Sequence, residues 1–439
     1  MKFSNLPLSL TDMSAPVIGI ASRTQTPKGL RLHIGLFGRR NAGKSSLINA
    51  LTNQKIAIVS DVPGTTTDPV EKACELAPIG PVVFIDTAGV DDVGELGGLR
   101  TERSLAVLGW VDVALIVCDA KALTESELEL IRTVKSTATP TVVVLNKADT
   151  ADAKELIATQ EQVRSLGYEP VTVCASQKLN IDAVREAIVK LAQNAVEPDL
   201  PLLGDLVHPG DTVMLVTPID TGAPKGRMIL PQVQAIREVL DADAKCIVVR
   251  ENRLAETLTN EKEPPAFVVT DSQVVQSVVA QTPKTIPVTT FSIQMAYSKC
   301  DLVEMARGAA MIDFLRPGDK VMICETCSHH PQPDDIGRKK LPRWLAKKVG
   351  GELDIEVVVG KDFPVDLTPY KLILQCGGCV VTRRHMLTRF AQAKRQNIPM
   401  TNYGVAISHL QGVLERALEL HPKALKAFHE AREIFANHF

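Results

Sequence analysis

Short apolar runs alternate with amphipathic stretches between Leu32 and about Ala195. A brief Val- and Ile-rich run bounded by turn residues is typical of a buried strand, and a longer stretch with period 3.6 is typical of a helix. The alternation predicts βαβ units, hence a mainly parallel sheet with helices on both faces. The predicted strands are His33–Phe37, Val82–Ile85, Val113–Cys118, Val142–Leu145 and Pro170–Val173.

Two proline-containing breaks, at Val196–Pro201 and Gln281–Pro287, divide the chain into three α/β blocks. Together with an N-terminal extension they predict domains at residues 1–30, 31–196, 203–283 and 284–439. The middle block is small, and a small sheet with an open edge often pairs with a copy of itself, so we expect a dimerisation module there. The strands predicted after the first break are Thr212–Val216, Ile247–Val249, Phe267–Val269, Lys320–Ile323, Asp354–Val359 and Lys371–Leu374, and the helices are Leu230–Leu240, Asp301–Leu315, Pro342–Val349, His385–Gln396 and Ile407–Leu420.

The composition is that of a globular protein with little net charge. A length of 439 residues predicts about three domains. The 49 basic and 51 acidic residues leave a net charge of -2, which argues against a dedicated nucleic-acid binder or a polybasic membrane-surface protein. The most apolar stretch, Leu105–Cys118, contains Asp112 and is shorter than the roughly 18 to 20 residues that span a bilayer. We therefore expect neither nucleic acid nor membrane among the partners.

The cysteines and the N-terminal residues indicate a cytoplasmic protein. Nine Cys residues without framework spacing argue for free thiols in a reducing compartment. The first 30 residues contain only Val17–Ala21 as an apolar run, with Asp12 ahead of it, and this fits a secretory signal peptide poorly. We interpret residues 1–30 as a flexible extension.

A glycine-rich motif follows the first predicted strand. Residues 38–45 read Gly-Arg-Arg-Asn-Ala-Gly-Lys-Ser and fit G-x-x-x-x-G-K-[ST] between a strand and a helix. The glycines let backbone N–H groups converge on phosphate oxygens, while Lys44 reaches the β- and γ-phosphates and Ser45 ligates Mg²⁺. The alternative to a phosphate-binding loop is a glycine-rich turn with a surface lysine. The motifs that follow make this alternative negligible.

Three further motifs come after predicted strands, in the order expected of a guanine-nucleotide site. Residues 86–89 read Asp-Thr-Ala-Gly and put a carboxylate beside Mg²⁺ and a glycine N–H near the γ-phosphate. Residues 146–149 read Asn-Lys-Ala-Asp, and Asp149 can accept both N1–H and the 2-amino group of guanine, a donor pair that adenine lacks. Residues 174–176, Cys-Ala-Ser, stand where a base-contacting loop belongs. The motifs predict a site that prefers GTP.

This region of roughly 160 residues resembles the translation-factor-related GTPases of the Era and MnmE type. The resemblance implies that Pro63–Asp68 is switch I, with Thr66 sensing the γ-phosphate and Mg²⁺ and Thr65 as second choice. It also implies that Asn41 helps bind K⁺ and that K⁺ stimulates hydrolysis. Val90 cannot orient a water as glutamine would, so we expect slow intrinsic turnover. The expected catalytic residues are Lys44, Thr66, Asp86 and Gly89; the nucleotide-binding residues are Gly38, Asn41, Ala42, Gly43, Lys44, Ser45, Ser46, Asn146, Lys147, Asp149 and Ala175; and Ser45 and Thr66 are the magnesium ligands.

Two cysteine segments follow predicted strands of the third block. Residues 324–330 read Cys-Glu-Thr-Cys-Ser-His-His, and residues 375–379 read Gln-Cys-Gly-Gly-Cys. The carboxyl ends of neighbouring parallel strands lie together, so these distant segments can meet at one site. C-x-x-C spacing lets both sulfurs chelate one centre, and Gly377-Gly378 leaves N–H groups free to bond cluster sulfides.

Spacing alone leaves three interpretations of these thiols open. A zinc site with four thiolates is the first, although the 48 residues between Cys327 and Cys376 exceed the roughly 15–20 of a zinc ribbon. A redox dithiol at Cys376 and Cys379 is the second, although the flanking thioredoxin pattern is missing. An iron–sulfur cluster on Cys327, Cys376 and Cys379 is the third.

From about Arg31 onward the chain closely resembles the HydF family of [FeFe]-hydrogenase maturation GTPases. His33–Ser45, Pro218–Asp220, Ala223–Arg227 and the two cysteine segments carry the resemblance. It implies an α/β protein with a P-loop GTPase domain, a small dimerisation domain and a C-terminal cluster-binding domain. It further implies a [4Fe–4S] cluster on Cys327, Cys376 and Cys379 and a homodimer or higher oligomer. The implied role is a scaffold or carrier that works with radical-SAM maturases and delivers a di-iron precursor to apo-[FeFe]-hydrogenase.

One position departs from the family pattern, which often has His before Cys-x-x-Cys, because Gln375 occupies that place. His329 is then a candidate fourth ligand, with a solvated surface histidine as the alternative. We expect Cys324 to be a core thiol at a strand end. The less favoured alternative is that it serves as an additional metal ligand. Two rival functions remain: a ribosome- or tRNA-associated GTPase with a structural zinc domain, and a redox-regulated switch that uses a Cys376–Cys379 disulfide.

Overall fold

The fold was analysed in a computed structural model of the chain. The structure describes residues 26–52, 70–87, 106–137, 139–194, 200–219, 228–326, 335–360 and 363–437. Three separate sheets, of six, four and four strands, organise these residues. No helix among them is long and apolar enough to cross a membrane.

The first sheet has six strands in the order β2-β3-β1-β4-β5-β6, and β2 alone runs antiparallel to its neighbour. The central strands β1, β3, β4 and β5 are mostly buried, as the apolar runs predict, and two separate apolar clusters lie on the two faces of the sheet. The elements are β1 (Leu32–Phe37), α1 (Lys44–Thr52), β2 (Val70–Leu76), β3 (Gly80–Asp86), β4 (Val113–Asp119), α2 (Glu125–Ser136), β5 (Thr141–Asn146), α3 (Ala153–Ser165), β6 (Val171–Thr172) and α4 (Ile181–Asn194).

The second sheet has four parallel strands in the order β10-β9-β7-β8, so β8 lies at an edge. Its elements are β7 (Thr212–Val216), α5 (Leu230–Asp241), β8 (Lys245–Val249), α6 (Leu254–Asn260), β9 (Phe267–Thr270), α7 (Val275–Gln281) and β10 (Val288–Thr290).

The third sheet is also parallel, in the order β12-β11-β13-β14, which makes β11 and β13 neighbours. The carboxyl ends of these two strands therefore lie side by side, with Cys324 opposite Gln375. The elements are α8 (Phe291–Lys299), α9 (Leu302–Ala309), β11 (Lys320–Glu325), α10 (Leu341–Val349), β12 (Asp354–Val359), β13 (Leu372–Gln375), α11 (Arg383–Arg395), β14 (Met400–Asn402), α12 (Tyr403–Leu410), α13 (Leu414–Ala417) and α14 (Pro422–Ala436).

The α/β class and the mainly parallel sheets predicted from sequence are confirmed, with three differences in detail. The predicted helix 407–420 is two helices, because Gly412 adopts φ +72° and the chain turns there. The antiparallel strand β2 was not predicted. Residues 28–30, assigned to a flexible extension, form a short 3₁₀ turn with Gly29 buried, while residues 1–25 lie outside the described part of the chain.

The first and third sheets meet at the amino-terminal end of α11. The ring of Trp110 stacks on His385 with centroids 6.2 Å apart. The Thr382 hydroxyl donates to the Trp110 carbonyl at 3.5 Å, and the Arg384 guanidinium donates to the Thr139 hydroxyl at 2.9 Å. Since α11 directly follows the turn after β13, this contact joins that turn to the first sheet.

Candidate functional site

The loop between β1 and α1 depends on its two motif glycines. Gly38 and Gly43 adopt φ +142° and +96°, which side chains rarely tolerate. A Cβ on Gly38 would overlap the Val117 carbonyl oxygen, and one on Gly43 would overlap the side-chain nitrogen of Asn146. The glycines thus allow the loop to lie directly against β4 and the loop after β5.

Lys44 begins α1 and its side chain turns back over this loop. Its Nζ donates to the carbonyl oxygens of Gly38 at 2.9 Å and Arg39 at 3.0 Å. The ammonium group and the amino-terminal end of α1 therefore face the same loop, with Ser45 and Ser46 in the first turn. A helix amino terminus with a lysine beside it is suited to bind phosphate oxygens.

Asp86, at the carboxyl end of β3, supplies a buried carboxylate next to Ser45. Its Oδ2 accepts from the Ser45 hydroxyl at 3.5 Å. Its Oδ1 is buried and has no hydrogen-bond partner among the described residues. Burial raises the pKa of Asp86, and the nearby Lys44 ammonium opposes that rise. An orphaned carboxylate oxygen beside a serine hydroxyl fits the oxygen ligands that Mg²⁺ prefers.

Asn146 ties the phosphate loop to the loop after β6. Its side-chain nitrogen donates to the Ala42 carbonyl at 2.9 Å, and its side-chain oxygen accepts from the Ala175 N–H at 3.0 Å. Lys147, the next residue, adopts φ +62° and its Nζ donates to Asp119 at 3.2 Å. The side chain of Asn146 thus holds three loops of the predicted nucleotide site in one place.

Asp149 lies beside the Cys174 loop, as the predicted base site requires. Its two carboxylate oxygens accept from the Cys174 thiol at 3.1 Å and from the Gln177 amide at 3.2 Å. A guanine that bound to this carboxylate would take the place of these two donors.

Asp119 is a site residue that motif analysis missed. It accepts from Arg39 at 3.1 Å and from Lys147 at 3.2 Å, so it links the phosphate loop to the base loop. Burial acts to raise the pKa of Asp119, but hydrogen bonds from the Lys121 N–H and from Lys147 lower it below the usual value. Its position at the carboxyl end of β4 was the only sequence signal.

Cys376 directly follows the last residue of β13. Its N–H donates to the Cys324 carbonyl at 2.9 Å, so the hydrogen bonds between β13 and β11 extend to this residue. Its sulfur is surrounded by donors. The Thr326 N–H and hydroxyl lie 3.2 Å and 3.1 Å from Sγ, and the Gln375 amide nitrogen lies 3.5 Å away. Donors arranged around a sulfur stabilise a thiolate or a metal-bound thiolate.

Cys379 follows the tight turn that Gly378 makes at φ +65°. Burial raises the pKa of the Cys379 thiol, and the neighbouring Cys376 adds to that rise. The buried Lys299 ammonium donates to the carbonyl oxygens of Gly378 at 3.4 Å, Val381 at 2.6 Å and Gly29 at 3.2 Å. The cysteine turn is thus fastened to the segment that precedes β1.

The donor set fits the implied cluster as far as the structure describes it. Two of the three expected sulfur donors belong to one turn, and Thr326, the residue before Cys327 in sequence, bonds to one of them. Cys324 is fully buried in β11, and burial raises its pKa to about 12, as expected of a core thiol. No group of three or more metal-ligating side chains occurs among the described residues. Six residues singled out in the sequence analysis of the sites lie outside the described part of the chain: Thr65, Thr66, Gly89, Val90, Cys327 and His329.

Family models match three successive parts of the chain. Residues 33–147 match the 50S ribosome-binding GTPase model, residues 202–300 match the Hydrogen maturase F dimerization domain, and residues 303–420 match the Hydrogen maturase F tetramerization domain. Together these matches span most of the chain between residues 33 and 420.

Curated relatives match the first domain. The tRNA modification GTPase MnmE of Trichormus variabilis is 38% identical over 167 residues, which are 37% of this chain and 34% of the relative. GTPase Der of Wolinella succinogenes is 34% identical over 172 residues, 37% of this chain and 36% of the relative. The chain thus spans about a third of the length of these relatives.

Solved structures also show similarity to the chain. An Era variant of Aquifex aeolicus bound to GDP and AlF4- is 21% identical, covers 50% of this chain and 92% of its own, and gives a TM-score of 0.33. The G domain of the FeoB iron transporter of T. maritima is 24% identical, covers 37% of this chain and 99% of its own, and gives a TM-score of 0.29.

Proposed function

The chain belongs to the hydrogen maturase F family, and from that premise we propose that it is a GTP-hydrolysing scaffold or carrier. It would bind a [4Fe–4S] cluster and assemble or deliver the di-iron precursor to apo-[FeFe]-hydrogenase, working with radical-SAM maturases. The observation that carries the proposal is the bonding of Thr326 to the Cys376 sulfur, which brings the two distant cysteine segments to neighbouring strand ends.

The GTPase half of the proposal assigns each residue a task. Lys44 and the first turn of α1 hold the phosphates, and Ser45, Thr66 and Asp86 surround Mg²⁺, directly or through its waters. Asp149 reads guanine, and Thr66 and Gly89 sense the γ-phosphate. Asn41, which adopts φ +62° in the phosphate loop, helps hold K⁺ and makes hydrolysis potassium-stimulated.

Lys44→Ala tests whether GTP hydrolysis can be lost without loss of the bound cluster. The loss of the ammonium group should abolish GTP hydrolysis, measured as phosphate release with K⁺ and with Na⁺, while the iron content stays unchanged. Lys154→Ala, at an exposed position on α3, is the matched control and should hydrolyse GTP like the parent. Loss of iron together with hydrolysis would contradict the proposed division of labour.

In the C-terminal half, Cys327, Cys376 and Cys379 hold the cluster, and His329 is the candidate fourth ligand. A cluster held by three thiolates supplies an iron with an exchangeable coordination position when it is bound. The donors around the Cys376 sulfur support this assignment because they offset the negative charge of a ligating thiolate.

We further propose that the protein is a homodimer through β8. This strand is the edge of a four-stranded sheet, and the exposed Val248 on it lies in the same domain as Val233 and Leu240 of α5, whose side chains are 49% and 58% exposed. An open edge with apolar residues beside it is suited to pair with a second copy. The match of residues 303–420 to a tetramerization domain supports a higher oligomer as well.

Anaerobic purification followed by iron, sulfide and zinc analysis tests the central proposal. We expect four irons and four sulfides per chain as the upper limit of reconstitution, a brown colour, and loss of iron in Cys376→Ser. A colourless protein with stoichiometric zinc and stimulation by RNA would instead favour the ribosome- or tRNA-associated GTPase. Turnover that changes with dithiols in metal-free protein would favour the redox switch.

A further inference from the structure

A buried arginine lies behind the cysteine turn. Arg389, on α11, is only 2% exposed and reaches the carboxyl ends of β12 and β13, which lie on either side of β11 in the third sheet. Its guanidinium donates to the Gln375 side-chain oxygen at 3.2 Å and to the Gly360 carbonyl at 2.8 Å, and it lies 5.1 Å from the centre of the Phe363 ring. These contacts hold the guanidinium in one position.

Arg389 determines which way the Gln375 amide points. An arginine has donors only, so the amide must present its oxygen to the guanidinium. The amide nitrogen then faces the opposite way, where it lies 3.5 Å from the Cys376 sulfur. Gln375 is fully buried, so water does not compete for this orientation.

We propose that Arg389 and Gln375 are a positioning pair that tunes the reduction potential of the centre bound at Cys376. Arg389 orients the amide, and the amide N–H donates to the sulfur alongside the Thr326 N–H and hydroxyl. The inference rests on the proposed [4Fe–4S] site. It assigns a role to the residue that stands where the family often has histidine.

The physical effect follows from charge. Reduction adds an electron to the cluster and its sulfur ligands, and a hydrogen-bond donor or a positive charge nearby stabilises that form. Arg389 and Gln375 therefore raise the potential. A purely structural role, in which Arg389 only braces Gly360 and Phe363, would leave the potential unchanged.

Gln375→Glu separates these two roles. The glutamate has nearly the same shape and still accepts from Arg389, so the brace remains. However, a carboxylate oxygen replaces the donor to Cys376, and the guanidinium charge is compensated. At a fixed solution potential, we expect the ratio of reduced to oxidised cluster to fall at least tenfold, which corresponds to about 59 mV for a one-electron couple.

The experiment uses the full chain, reconstituted anaerobically and titrated with dithionite, with the reduced cluster followed by electron paramagnetic resonance. The parent is compared with Gln375→Glu, Gln375→Leu, Arg389→Met and Arg389→Lys, and with Arg395→Gln as control, because Arg395 is exposed on the same helix. In a double-mutant cycle, Arg389→Met should shift the potential less when Gln375 is already leucine. If Arg389→Met does not fold, as judged by circular dichroism, Gln375→Glu and Gln375→Leu still decide the result.

Parent-like potentials in Gln375→Glu and Gln375→Leu at normal iron content would overturn the inference and leave the proposed function intact. An equal shift in Arg395→Gln would overturn it too. A parent protein that takes up zinc, or no iron, would remove the proposed function itself and this inference with it. That failure is visible before any variant is compared, because the parent would lack the absorbance of the cluster.

Discussion

At the residue scale, Gly43 of the nucleotide loop matters because a side chain at its position would clash with a neighbour. Gly43 lies against Asn146, whose amide also bonds the loop itself and the Ala175 loop. A side chain on Gly43 would therefore displace a residue that ties the phosphate loop to the Ala175 loop. The effect of this close contact at Gly43 is distinct from the general cost of a positive φ angle.

Gly43→Ala should weaken GTP and GDP binding by more than tenfold, measured by titration with a fluorescent guanine nucleotide. The added Cβ overlaps Asn146, and φ +96° costs a further ~1–2 kcal/mol for an L-residue. Gly80→Ala is the matched control, since Gly80, the first residue of β3, has φ +93° and a Cβ there would meet nothing within 4 Å. The control should lose stability but keep its affinity; equal losses of affinity in both variants would contradict the argument.

Asp313 is a second residue whose surroundings determine its behaviour. Its carboxylate accepts from His409 at 2.9 Å on α12 and from Lys348 at 2.8 Å on α10, and it pairs with Arg432 at 3.0 Å on α14. Burial acts to raise the pKa of Asp313, but hydrogen bonds from His409 and Lys348 outweigh it and hold the pKa well below the usual range.

The folded-state pKa of Asp313 is depressed, so its contribution is present above the unfolded pKa of about 3.9 and is lost as pH falls towards the folded value. The free energy of unfolding of the parent should therefore decline more steeply below about pH 4 than that of Asp313→Asn. Urea denaturation at pH 7, 4 and 3 measures this difference. Equal slopes in the two proteins would show that Asp313 does not contribute.

At the scale of elements, helix α9 packs unusually close to β14. A Cβ on Gly308 would overlap the Met400 carbonyl oxygen, so the absence of a side chain allows the helix to contact the strand backbone. The local preference and the packing requirement oppose each other at this position, because glycine is a poor helix former.

Gly308→Ala tests which of the two dominates. Helix propensity alone predicts a gain of about 1 kcal/mol in the free energy of unfolding, whereas the overlap with Met400 predicts a loss of about 1–3 kcal/mol. We expect the loss, seen as a lower urea midpoint. A stabilised variant would mean that α9 can move away from β14 at little cost.

Strands with a clear apolar run could be predicted from sequence, including β8 and β12 at sheet edges, whereas very short strands and one strand of mixed polarity could not. β4 and β5 appear within one residue of their predicted bounds, because uninterrupted apolar runs mark strands inside a parallel sheet. β2 mixes polar and apolar residues at a sheet edge, and β10 and β14 have three residues each, so their patterns are too short or too polar to recognise. Helix propensity along the predicted segment also does not show that α12 ends just before Gly412.

The candidate site also contains some residues that could be predicted from sequence and others that could not. The phosphate loop and Asn146 could be predicted because their chemistry depends on fixed spacing along the chain. Asp119 and the pairing of Arg389 with Gln375 could not, because they depend on which strand ends and helix faces become neighbours only after folding.

For the molecule as a whole, β8 and α5 provide the surface that we propose for dimerisation. Leu240→Glu introduces a charge at a side chain that is 58% exposed in the single chain and would be buried in the dimer. The mass from light scattering after size exclusion should fall to half that of the parent, with an unchanged circular dichroism spectrum. Val365→Glu, at an 81% exposed position in the third domain, is the matched control and should keep the parent mass. An unchanged mass in Leu240→Glu would rule out this surface.

Lys299 has a practical consequence for dissecting the protein. One buried ammonium group fastens the cysteine turn to the Gly29 carbonyl, and a Cβ on Gly29 would approach the Cys379 carbonyl to 2.5 Å. An expression fragment that begins after the first domain would leave this cation facing water on one side, so the isolated C-terminal part should be a poor surrogate for the intact chain. Affinity tags and fusion partners are therefore better attached at the far end, beyond α14, than close to Lys28.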